Sequence, residues 1–113
     1  MVLKLLHIES SPRRRRSASL EVAKEFISSF RERHPETEVK RLNLWEASLP
    51  EFDEDAMEAK YAGLSGKQLN EKQHLAWEQL HSLANHLHEA DLLVFSIPLW
   101  NFNIPYKLKH FID

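Results

Sequence analysis

At 113 residues with 42% hydrophobic content, the chain has the size of one compact domain, and a single domain over residues 1–113 is expected. Its 28% charged residues and formal net charge of −2 describe an ordinary globular protein and set nucleic acid aside as the default partner. With no cysteine, disulfide scaffolds, thiolate zinc sites and cysteine nucleophiles are excluded, and a reducing compartment fits.

The opening run Met1-Val2-Leu3-Lys4-Leu5-Leu6-His7 leads into Glu9 and the arginines Arg13 to Arg16 without a small-residue cleavage site, so no signal peptide is expected. No apolar stretch approaches the roughly 18 to 20 residues of a membrane helix. A cytoplasmic location is expected by elimination. Lysine and arginine outnumber acids eight to four over residues 1–35, whereas acids lead thirteen to seven over residues 36–113. The first third is therefore the natural place for an anion.

Val2 to Ile8 reads as a strand that is aliphatic on both faces, as a buried central strand of a parallel sheet is. From about Ser17 the apolar residues Leu20, Val22, Ala23, Phe26, Ile27 and Phe30 recur at helical spacing, with Pro35 as the outer limit. Thr37 to Leu44 alternates like a strand through Val39, Leu42 and Leu44. Trp45 to Asp53 is expected to be a surface connection, and Asp53 to Tyr61 a short helix that Gly63 and Gly66 break. Lys67 to Glu89 is a long amphipathic pattern with Leu69, Leu75, Ala76, Leu80, Leu83, Ala84 and Leu87 toward the core. Asp91 to Pro98 is the clearest strand, and another helix starts before Asp113.

Helices alternating with strands apolar on both faces indicate an α/β protein with an open parallel sheet, and right-handed crossovers make the order 2-1-3 the simplest. Three strands make a small sheet with the third exposed at an edge, so the chain is expected to be part of something longer.

In such a sheet a ligand lies beyond the carboxyl ends of the strands where the order reverses, here between the first and third strands. Two loops meet that condition. The first, Ser10-Ser11-Pro12-Arg13-Arg14-Arg15-Arg16-Ser17-Ala18-Ser19, offers serine hydroxyls, arginines and the N-terminus of a helix, a set suited to a phosphate monoester. The same serines would serve as a helix cap and the arginines as a solvated run, and both readings stand at this point. No Gly-x-Gly-x-x-Gly fingerprint or Walker lysine is present, which disfavours a dinucleotide Rossmann site or an NTPase. The second loop, Pro98-Leu99-Trp100-Asn101-Phe102-Asn103-Ile104-Pro105, offers two aromatics and two amides to a planar aromatic ligand, unless Trp100 and Phe102 pack as core.

These two segments, with Leu108-Lys109 and Asp113, resemble the FMN-dependent NADH:quinone oxidoreductase and azoreductase family, which has a flavodoxin-like fold. The resemblance spans the chain as the amino-terminal portion of a family member. It implies that Ser11 and Ser17-Ala18-Ser19 hold the FMN phosphate and that Leu99, Trp100, Asn101 and Phe102 lie along the isoalloxazine ring, with Arg13 in a secondary role. Ala18 and Trp100 stand where many relatives carry a polar residue and a tyrosine. The implied reaction carries hydride from NADH or NADPH through the flavin to a quinone or an azo compound, in a homodimer when full length. The cofactor supplies the chemistry, so no catalytic acid, base or nucleophile is assigned. A flavodoxin-like electron carrier or a non-catalytic module is the alternative.

His81, His86 and His88 invite a metal reading, but His86 and His88 point to different faces of their helix, and no metal site is expected. The acidic run from Glu51 to Glu58 is read as a solvated segment.

Overall fold

The structure, a computed structural model, describes residues 2–13, 16–51, 53–99 and 103–113. The described elements are β1 Lys4–Glu9, α1 Ala18–Arg33, β2 Glu38–Asn43, α2 Glu54–Leu64, α3 Glu71–His88, β3 Leu92–Ser96 and α4 Tyr106–Ile112. The three strands form a parallel sheet in the order β2-β1-β3, as the crossover argument expects. Leu5 pairs with Val39 on one side and Leu92 on the other, and Glu9 with Asn43 and Ser96.

The chain divides into two compact units, residues 1–48 with 87–113, and residues 49–86. In the first, β1 is the centre. Leu5, Leu6, His7, Ile8 and Glu9 are all buried, which is why that strand is apolar on both faces apart from two polar residues. Ser17 starts α1 by accepting the Leu20 amide on its side chain, and beyond the helix Thr37 bonds the His34 carbonyl before β2 begins.

Only part of the apolar set in α1 is buried. Leu20, Ala23 and Ile27 are buried, but Val22 is 70% and Phe26 54% exposed. At about 100° per residue, Val22 lies on the far side from Leu20, and the sheet covers one stripe only. Phe26, Phe30 and His34 instead contact one another along the flank. As expected of an edge, β3 leaves Leu92, Leu93 and Phe95 exposed.

In the second unit, Asp53 caps α2 through the Ala56 amide. Gly63 lies inside α2 rather than breaking it. The stop comes at Gly66, whose φ of 71° is the left-handed conformation that closes helices, with the Lys67 amide on the Ala62 carbonyl. The next helix starts at Glu71 rather than Lys67, because Asn70 and Gln73 form a reciprocal capping box, each side chain accepting the other's amide at 2.8 and 3.2 Å. No residue of α3 is buried, and Leu75 is 57% exposed, so the expected core-facing stripe is not enclosed. Ala76, Leu80, Leu83 and Ala84 are half-buried, so the stripe is covered only in part.

Candidate functional site

The parallel pairing of Glu9 with Ser96 sends the two loops out of the sheet side by side at its carboxyl edge. Three contacts hold them there. Ser10 donates both its amide, at 3.2 Å, and its hydroxyl, at 2.8 Å, to the Ser96 carbonyl. Three residues back along β1, His7 Nε2 lies 3.0 Å from Ser96 Oγ. The Ser10 carbonyl in turn accepts the indole N–H of Trp45 at 2.6 Å.

His7 and Glu9 share the sheet face that α1 covers. Burial pushes the His7 pKa below its ordinary value, so the ring is neutral at physiological pH, against the weaker upward pull of Glu9 3.8 Å away. Buried Glu9 is clamped by two hydrogen bonds from Arg41, both 2.9 Å, from the guanidinium of β2. That bond also holds the Arg41 pKa above its usual value. With this pairing the carboxylate behind the first loop is neutralised, so it does not repel an anion arriving in front.

In the first loop, Ser11 is buried and its hydroxyl accepts the Arg13 amide at 3.3 Å, while the Arg16 amide bonds the Arg13 carbonyl. Ser17, also buried, stands in extended conformation just before α1, and its Oγ lies 3.0 Å from that of Ser19. The capping role of Ser17 is thus realised through the acceptor side of its hydroxyl, and one of the two serine hydroxyls donates to the other. Ala18 and Ser19 supply the first backbone amides of a 16-residue helix, at its positive end. Arg13 and Arg16 are exposed beside them. Hydroxyl donors, helix amides and guanidinium groups on one turn are the donor set that a phosphate monoester requires, so these residues fit an FMN phosphate chemically.

In the second loop, Leu99 is 72% exposed next to the strand end. Trp100, Asn101 and Phe102 lie outside the described residues, and so does the question of whether they pack as core. Asn103 accepts the Ile104 amide on its own side chain, and buried Pro105 leads into α4, anchored by buried Leu108.

A groove of about 480 Å3 lies elsewhere, between α1 and β2, lined by His7, Lys24, Ile27, Arg31, Val39 and Arg41 among others. It is not at the carboxyl edge of the strands. Among the described residues, no group of three or more histidines or acids could hold a metal ion, and no helix is long and apolar enough to cross a membrane.

Sequence reasoning overlooked the polar frame beneath the loops. His7, Glu9 and Ser96 could have been found as polar residues inside otherwise aliphatic strands. Trp45, read as part of a surface connection, is partly buried and bonded to the first loop, and no periodicity marks it.

Comparison with known proteins adds to this. A family described as having a flavodoxin-like fold matches over residues 3–113. FMN-dependent NADH:quinone oxidoreductase 3 of Pseudomonas fluorescens is 62% identical over 110 residues, which cover 97% of this chain and 51% of that protein. Among solved structures, an azoreductase from Bacillus anthracis strain Sterne superposes with a TM-score of 0.87 at 30% identity, covering 98% of this chain and 54% of the other. An FMN-dependent NADH-azoreductase from the Ames Ancestor strain, solved in complex with FMN, gives 0.82 at 30% identity, covering 97% and 54%. The chain spans about half the length of the curated relatives it matches.

Proposed function

Because the chain belongs to the family with the flavodoxin-like fold, we propose that it supplies the FMN-holding portion of an oxidoreductase that passes hydride from NADH or NADPH to quinones and reductively cleaves azo compounds. The observation that carries this reading is the pairing of Glu9 with Ser96, reinforced by Ser10, which brings together at one edge of the sheet the strand ends that lead into the serine-arginine loop and the aromatic loop. The names and titles of the similar proteins support it.

In this reading Ser11, Ser17, Ala18 and Ser19 hold the phosphate, and Leu99, Trp100, Asn101 and Phe102 line the isoalloxazine ring. Bound FMN would supply two-electron redox chemistry. The chain's own residues bind and orient: the α1 N-terminus and its hydroxyls fix the phosphate end, the second loop offers a wall that excludes water from one side of the ring, and Arg41 neutralises Glu9 behind them. No side chain is assigned a proton-transfer role.

The 113 residues then form part of a single flavin-binding domain, in a cytoplasmic protein that is a homodimer at full length and needs neither nucleic acid nor membrane. The test is to purify the complete gene product, record its flavin absorbance, and follow NADH consumption with menadione or an azo dye. Bound flavin with turnover supports the reductase. Bound flavin without NADH oxidation would favour an electron carrier, and no flavin at all would overturn the reading.

A further inference from the structure

Trp45 leaves β2 in a tight turn, where its amide bonds Asn43 Oδ1 at 3.0 Å and the Glu46 and Ala47 amides bond the Asn43 carbonyl. That turn aims the indole across the carboxyl edge of the sheet. Its N–H reaches the Ser10 carbonyl at 2.6 Å, and its ring meets the edge of Tyr106, with centroids 5.2 Å apart at 79°. The Lys107 ammonium lies 5.9 Å from the indole centroid. Ser10 is the residue through which β1 enters the first loop, and Tyr106 is the residue at which the second loop ends and α4 begins.

One side chain therefore touches the entrance of one loop and the exit of the other. We infer that Trp45 is a positioning residue that sets the spacing between the two flavin-holding loops, an inference that rests on the flavin reading above. The indole needs its N–H partner when partly buried, and Ser10, fully buried, has a carbonyl that needs a donor; the geometry of the pair is thus specified from both sides. The edge-to-face contact with Tyr106 passes that placement to the start of α4.

Three variants of the complete gene product test this: Trp45→Phe, which keeps the aromatic contact and removes the donor, Tyr106→Ala, and the two combined. FMN affinity is read by quenching of flavin fluorescence, well below the melting temperature, beside the absorption envelope of the bound flavin and a thermal melt. Loss of the donor is expected to raise the FMN Kd about tenfold, the equivalent of one hydrogen bond, and to alter the absorption envelope. The double variant should be less than additive, because both changes break one linkage. A lower melting temperature with unchanged Kd and absorption would make Trp45 a packing residue and overturn the inference. So would full additivity of the two changes. Wild-type protein that binds no FMN would overturn the flavin reading itself, a distinguishable result.

Discussion

His7 Nε2 and Ser96 Oγ meet at 3.0 Å across the β1–β3 pairing, both nearly inaccessible to water, and so lock the strand that enters one loop to the strand that enters the other. A buried polar pair of this kind costs most when only one member is removed. Ser96→Ala should therefore destabilise the fold by about 1 to 3 kcal/mol, while His7→Leu combined with Ser96→Ala should recover part of the loss. Urea unfolding of the two variants measures the difference. Equal destabilisation in both would mean that the hydrogen bond contributes little.

The same histidine sets a pH dependence. Its pKa is lowered in the folded chain, chiefly by burial, so the unfolded chain binds the proton more readily. No penalty exists well above the ordinary histidine pKa of about 6.5, and stability falls as pH drops below that value, until the folded-state pKa is passed. Lys24 and Arg41 add to the downward shift and Glu9 opposes it. His7→Gln should flatten this part of the stability curve relative to the wild type, as thermal melts from pH 8 to pH 5 would record.

Arg41 holds Glu9 through a two-pronged contact from the edge strand, with Glu9 buried and the Arg41 side chain 60% exposed. Arg41→Ala leaves a buried carboxylate without that partner. Solvent access on the arginine side moderates the cost, to about 1 to 2 kcal/mol. Arg41→Lys should recover only part, since a lysine cannot reproduce the fork. Chemical denaturation reports both.

In the proposed reading Ser17 has a structural and a binding role and Ser19 a binding role alone. Ser17→Ala removes the α1 cap and should lower stability by about 1 kcal/mol, whereas Ser19→Ala, which takes no capping bond, should leave stability nearly unchanged. Both should weaken FMN binding, and the double variant most. Riboflavin, which lacks the phosphate, should be insensitive to the same changes. Titration of each flavin against each variant separates the two roles.

The residues that were legible in the sequence are those whose environment is set locally or by burial on both sides. Leu5, Leu6 and Ile8 marked a central strand because only a doubly covered strand keeps such a run, and Ser17 and Pro35 bracketed α1. The helical spacing of Val22 and Phe26 did not reveal that both are exposed, because periodicity gives a stripe's spacing but not its width, which depends on how much sheet lies opposite. The start of α3 was misplaced by overlooking the Asn70–Gln73 capping box, a local signal present in the sequence. Trp45 was illegible for another reason: its partners Ser10 and Tyr106 are distant in the chain and come together only when the sheet has formed.

In the proposed function the α1 N-terminus holds the phosphate of a flavin whose ring lies on the neighbouring loop. Diffraction from crystals of the complete gene product grown with FMN would locate the phosphorus atom directly. Phosphate oxygens within hydrogen-bonding reach of the Ser17 and Ser19 hydroxyls, with the ring along residues 99–102, are the predicted result. A flavin seated in the groove between α1 and β2, or at the opposite edge of the strands, would contradict the account.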